Sequence, residues 1–149
     1  MGPYQNKGQG QKRPYEAAKP CKLFEASKID ETNYVDLAER VITAHKALYK
    51  KITTTQMRDL FGYLTVLREE LRIKRCDTLD ADMISQVQYS KLRFVYAAGR
   101  DQVVKDFMEQ SQLIACLDKG YIGSSAARFE LVCKYMEALV AYHKYHIGQ

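Results

Sequence analysis

All three prolines, Pro3, Pro14 and Pro20, fall within the first 20 residues of a 149-residue chain, so nothing from residue 21 onward forbids a long helix. Proline inside a helix removes a backbone hydrogen bond and clashes with the preceding turn, at a cost of about 3 kcal/mol. Behind Pro20, apolar residues recur at helical spacing almost throughout, and no alternating strand pattern of useful length competes. The spacing predicts an all-α, single-domain bundle of about five helices joined by short loops.

The first helix is expected from about Tyr34 to Tyr49, with Val35, Ala38, Ile42 and Leu48 or Tyr49 near one face and the acids Asp36 and Glu39 early, where they suit the helix dipole. A second runs from about Thr54 to Lys74, striped by Met57, Leu60, Phe61, Leu64, Leu67 and Leu71. A third follows Asp80, takes in Met83, Ile84, Val87, Leu92, Val95 and Tyr96, and ends at Gly99. A fourth spans about Asp101 to Leu117, and Gly120 with Gly123 marks the next break. The last begins near Ser125 and buries Phe129, Val132, Cys133, Met136, Leu139 and Val140.

Residues 1–28 carry six bases and two acids, against 17 bases and 16 acids in the remainder. This stretch is rich in Gly, Pro, Gln and Lys and poor in large aliphatic side chains, so it is expected to be a disordered basic tail ahead of a helical domain over residues 29–149. A basic tail attracts polyanions by counterion release, or it merely keeps a chain soluble. Without an apolar run long enough to span a membrane, and without a signal-type N-terminus, the protein is expected to be cytoplasmic, with no membrane contact.

Chemistry-bearing motifs are sparse. Glycine-rich phosphate loops, GxSxG elbows and HExxH pairs do not occur, and Glu69 with Glu70 or Asp80 with Asp82 reads as solvated faces and helix starts rather than an acid/base pair. Cys21, Cys76, Cys116 and Cys133 stand 55, 40 and 17 positions apart, unlike the close pairs of zinc sites, and read as free thiols. His143 and His146 are spaced to share a metal ion but want a third ligand, so no metal, cofactor or catalytic residue is expected.

The basic residues say more. From Lys50 to Arg75 the chain holds seven bases against three acids. At 100° per residue Arg58, Thr65 and Arg72 fall within about 40° of one another on the second helix, with Gly62 near that edge, where close approach by another backbone is one reason for a glycine. Either this face tracks phosphates, or Arg68 and Arg72 pair with Glu69 or neighbouring acids in solvent. Tyr135, Tyr142 and Tyr145 share one side of the last helix, where they stack bases, bind another subunit or pack on the first helix.

The threonines of KITTTQMRDL at residues 51–60 build a helix start without any ligand. Thr53 fits an N-cap, Gln56 completes a capping box, and Ile52 with Met57 fits a hydrophobic staple. Lys51 and Arg58 remain, beside a helix N-terminus whose free amides also favour anions.

Three segments in register, ITTTQMRDL at 52–60, KLRFVYAAGR at 91–100 and YMEALVAYHKY at 135–145, resemble the small helical subunit of type III-A CRISPR effector ribonucleoproteins, the Csm complexes. The likeness covers about residues 35 to 147, and Arg93 stands where many relatives would carry lysine. The resemblance implies a non-catalytic subunit whose copies stack along guide RNA and target RNA in antiviral defence, binding their backbone without sequence specificity. Its partners would be RNA, copies of itself, the backbone Csm subunit, to which target RNA cleavage belongs, and the large Csm subunit, to which DNA cleavage and signalling-nucleotide synthesis belong. By motif position the resemblance points to Lys51, Gln56, Arg58, Lys91, Arg93 and Arg100 as RNA-binding residues, and the helical wheel adds Arg68 and Arg72. The alternative is a helical protein–protein scaffold with little direct RNA contact; a small metal-dependent nuclease using His143 or His146 is a third reading.

Overall fold

The computed structural model describes residues 22–148. It contains helices α1 (Tyr34–Ala44), α2 (Lys46–Tyr49), α3 (Thr54–Lys74), α4 (Ala81–Arg100), α5 (Gln102–Ser111), α6 (Leu113–Cys116), α7 (Lys119–Ile122) and α8 (Ala126–His146), preceded by a 3₁₀ turn at Ala26–Lys28. Five of these are long, as the periodicity predicted, and no strand occurs among the described residues. The sequence cue to the starts of α3, α4, α5 and α8 is a side chain that satisfies an otherwise orphaned backbone N–H. Asp80 accepts from Met83 N–H at 2.8 Å, Asp101 from Val103 N–H at 3.0 Å and Ser125 from Arg128 N–H at 3.1 Å.

The long helices close a ring: α8 lies against α1 and α3, α3 against α4, α4 against α5, and α5 returns to α1. Inside it Leu64, Leu67, Phe94, Phe107, Phe129 and Leu139 are fully buried. Each such side chain contributes about 1.5–3 kcal/mol by leaving water. An isolated bridge between Thr78 and Ser125, flanked by Leu79 N–H donating to Ser124 O at 2.8 Å, ties the α3–α4 turn to the start of α8.

Several boundaries differ from expectation, each for a packing reason. The first helix breaks at His45, whose φ of −143° and ψ of 60° end α1 and let α2 carry Leu48 and Tyr49 into the core. There the Tyr49 ring meets Phe107 edge-on at 5.3 Å and its hydroxyl bonds the Gln110 side chain. The fourth helix breaks at Gln112, which sits at φ 65°. Gly99 does not end α4: the helix runs on to Arg100 and stops because Asp101 turns extended to cap α5. Nor does another backbone approach Gly62, since a Cβ there would meet nothing within 4 Å.

Burial also redistributes residues assigned from periodicity. Leu92, Val95 and Tyr96 are exposed on α4, whose inner face is Met83, Val87, Ser90, Phe94 and Ala98. The tyrosine strip of α8 divides: Tyr135 is buried with its hydroxyl donating to Ser111 O at 2.7 Å, Tyr142 is half-buried and stacked on His146, and Tyr145 stands in solvent. Ahead of residue 29, Ala26 joins the core and Leu23 and Phe24 lie against it. The rest of the expected basic tail lies outside the described residues, as does Cys21.

Candidate nucleic-acid interface

The N-terminus of α3 is built by its own sequence. Thr53 Oγ1 accepts from Gln56 N–H at 3.0 Å, and Gln56 Oε1 accepts from Thr53 N–H at 3.4 Å, closing the capping box. Ile52 and Met57 are buried on either side. Lys51 just before the cap and Arg58 one turn beyond it are exposed, and neither forms an ion pair among the described residues.

Because α3 and α4 run antiparallel, this end of α3 lies beside the C-terminal half of α4. Between them opens a groove of about 880 Å³ whose walls include Gln56, Asp59 and Leu60 of α3 and Tyr89, Arg93, Tyr96 and Arg100 of α4, with Val104 of α5 beyond. Tyr89, Arg93, Tyr96 and Arg100 are spaced four, three and four residues apart, which places them within about 60° on the helix. The guanidinium of Arg93 lies 5.4 Å from the Tyr63 ring centre and 6.0 Å from that of Tyr89, and that of Arg100 lies 5.7 Å from Tyr96. These are cation–π contacts, which orient an arginine without neutralising it. Neither Arg93 nor Arg100 has a carboxylate partner among the described residues, so both charges stay available to an anion.

The other predicted bases are placed differently. Arg58 faces the opposite flank of α3, where it borders a cavity of about 230 Å³ with Thr65, Arg68 and, from α8, Cys133, Met136 and Glu137. Arg68 is buried: its Nε and Nη2 donate to Glu130 Oε2, the former at 2.8 Å, and its Nη1 donates to Glu137 Oε2 at 2.8 Å. The hydrogen bond to Glu130, opposed by desolvation, raises the Arg68 pKa and holds the Glu130 carboxyl below its usual range, so both stay ionised. Arg72 pairs with Glu69 at 2.9 Å and with Glu130 at 3.3 Å. Arg68 and Arg72 thus face three carboxylates, Glu69, Glu130 and Glu137, while Arg58 of the same wheel stripe forms no ion pair among the described residues. Lys91 lies 2.5 Å from Asp118, bracing α4 against the turn before α7.

The two histidines weighed as metal ligands are occupied separately. His143 is buried, with Nε2 donating to Tyr49 O at 3.1 Å and Nδ1 3.3 Å from Thr54 Oγ1; His146 Nε2 lies 2.8 Å from Glu39. No cluster of three potential metal ligands occurs among the described residues. Among those residues, too, no helix is long and apolar enough to cross a membrane.

The three sequence segments behind the resemblance meet around α3: the second faces the first across the groove, and the third, in α8, lines the cavity on the other flank. A family model described as "Csm2 Type III-A" matches residues 28–149. The chain belongs to the Csm2 type III-A family. It is 36% identical over 125 residues to "CRISPR system Cms protein Csm2" of Streptococcus thermophilus, covering 81% of this chain and 97% of that protein. The protein of the same name from Mycobacterium tuberculosis (strain CDC 1551 / Oshkosh) is 37% identical over 120 residues, 77% of this chain and 92% of the relative. That of Enterococcus italicus is 29% identical over 99 residues, 66% and 71% of the two chains. For this Csm2-family chain the tyrosines of the groove, Tyr89 and Tyr96, with Tyr63 against Arg93, are the residues that charge counting passed over. The 4-3-4 alternation of Tyr and Arg from 89 to 100 was the available signal, obscured because Leu92, Val95 and Tyr96 suit a core stripe equally well.

Proposed function

We propose that this Csm2-family chain is a non-catalytic small subunit of a type III-A effector ribonucleoprotein that contacts the backbone of guide RNA and target RNA without reading sequence. The observation that carries the reading is the groove, in which Arg93 and Arg100 stand exposed and free of carboxylate partners beside Gln56. Lys51 and Arg58, at the capped end of α3, add charge where free amides already favour anions. Arg68, Arg72 and Lys91 support the fold and do not belong to the RNA-binding set. The non-catalytic role is supported by the structural duties of the carboxylates. Glu69 and Glu70 pair with Arg72 and Lys74, Asp80 caps α4, and Asp82 accepts from the Gln86 amide at 2.8 Å. Copies of the chain and the other Csm subunits are the protein partners in this reading.

Binding of the full chain to two unrelated single-stranded RNAs across a salt series tests it. Similar affinities and a steep negative slope are expected. The slope should fall by about 1.4 in Arg93→Ala/Arg100→Ala, since each phosphate neutralised on a single strand contributes roughly 0.7. Arg72→Ala should leave the slope unchanged. Strong sequence preference, or a slope insensitive to the double substitution, would overturn the proposal.

A scaffold reading has its own supporting observation, the apolar surface of Leu92 and Val95, which are 60% and 45% exposed on α4. It predicts that Leu92→Asp prevents incorporation into the complex while Arg93→Ala/Arg100→Ala leaves both assembly and RNA retention intact.

A further inference from the structure

The groove between α3 and α4 is poorly matched to a phosphate ladder alone. Besides its two arginines its lining holds the carboxylates of Asp59 and Asp101, neither of them ion-paired to Arg93 or Arg100, and the apolar Leu60, Ala97 and Val104. A continuous row of phosphates laid along it would pass two carboxylates; a flat apolar body with a polar edge would not be repelled. At about 880 Å³ the space lies within the roughly 300–1,000 Å³ typical of sites that take small flat ligands.

Two of its side chains fit that shape. Tyr96 is 67% exposed and Tyr89 50% exposed, although a tyrosine ring gains much by burial, and each has a guanidinium over one face, so a base would stack on the other. An arginine held at a ring is placed to bind the phosphate of a nucleotide whose base lies on that ring, and stacking on aromatic side chains together with arginine contacts is how single strands are held without regard to sequence. The carboxylate of Asp59 is an acceptor for base-edge N–H groups, while that of Asp101 is already occupied by the Val103 N–H.

Resting on the RNA-binding reading, we propose that the Tyr89–Arg93–Tyr96–Arg100 stripe of α4 captures unpaired nucleobases by stacking, so that the ligand of this groove is single-stranded RNA with accessible base faces and not the flank of a duplex. A paired helix offers base faces only at its ends and cannot reach Tyr96. Tyr89 and Tyr96 are seven residues and about 10.5 Å apart along the helix, so their rings address separate bases of one strand.

The test uses the full chain with a 12-nucleotide single-stranded RNA carrying one 2-aminopurine, and the same RNA annealed into a blunt duplex. The single strand should bind at least tenfold more tightly than the duplex, and 2-aminopurine fluorescence should change on binding. Tyr96→Leu, at an exposed site and checked for folding by circular dichroism, should lose about five- to a hundredfold in affinity together with the fluorescence change. Its salt slope should match that of the unsubstituted chain, because no charge is removed; Tyr96→Phe should restore both affinity and fluorescence. RNA binding of normal salt dependence without a fluorescence change, or equal affinity for the duplex, overturns stacking and leaves backbone binding standing. Failure of the unsubstituted chain to bind any RNA overturns both. If Tyr96→Leu leaves RNA affinity intact but blocks association with another Csm subunit, the stripe is a protein contact and the proposal falls.

Discussion

Arg68 is held where a charged side chain rarely sits, buried against α8 with Glu130 and Glu137 at its guanidinium. Taking one carboxylate away would strand a buried cation, which costs about 3–5 kcal/mol when the pair is fully enclosed. Here Glu137 remains and Glu130 is partly open to water, so Glu130→Gln should destabilise the fold by about 2 kcal/mol, measured by urea unfolding at neutral pH. The sign with pH follows from the direction of the shift. Hydrogen bonding to Arg68 lowers the Glu130 pKa from 4.5, so its stabilisation is complete above pH 4.5 and is lost as pH falls through the lower folded value. An acid titration of stability should therefore lose a step in Glu130→Gln. An unchanged acid profile would show that the pair contributes nothing net. Sequence alone left Arg68 open between solvent and phosphate, because a wheel gives the angle of a side chain but not the charge of the helix facing it.

Within α3 the local code and the tertiary surroundings act at different ends. Thr53, Gln56, Ile52 and Met57 specify the start completely, since capping is decided by residues within one turn. In the middle, Gly62 has open space above its Cα, so Gly62→Ala should raise stability by about 0.5–1 kcal/mol through backbone entropy. Thermal unfolding would show a higher midpoint, and a lower one would mean that a neighbour does enter that space. Helix α4 shows the opposite lesson. Its stripe of Leu92, Val95 and Tyr96 has helical period and apolar character, yet it faces solvent while Ser90 lies inside. Periodicity locates a helix and its two faces; it does not say which face the partner helices cover when both carry large apolar side chains.

The whole bundle protects two thiols. Cys116 and Cys133 are buried and their thiols are pushed up to about 12, by desolvation first in each case, whereas Cys76 is exposed. A Cys21→Ser/Cys76→Ser variant should accordingly react with a disulfide reagent at neutral pH only as fast as the ring of helices opens. Immediate reaction at either remaining thiol would place an opening at α6 or α8 within the folded state. The ring also sets the geometry of the groove, which exists because α4 returns alongside α3, with Val104 of α5 in its lining.

Residues close in the chain decided the helical class, the starts of α3, α4, α5 and α8 and the resemblance to the Csm small subunit, because spacing, capping and motif order all act over short stretches. The tertiary structure alone decided which basic residues keep their charge available. Arg68 and Arg72 meet carboxylates from a helix some sixty residues away, as Lys91 meets Asp118, while Arg93 and Arg100 meet only tyrosine rings. A charge is carried by one residue, but its availability is set by whatever the fold brings within about 4 Å of it.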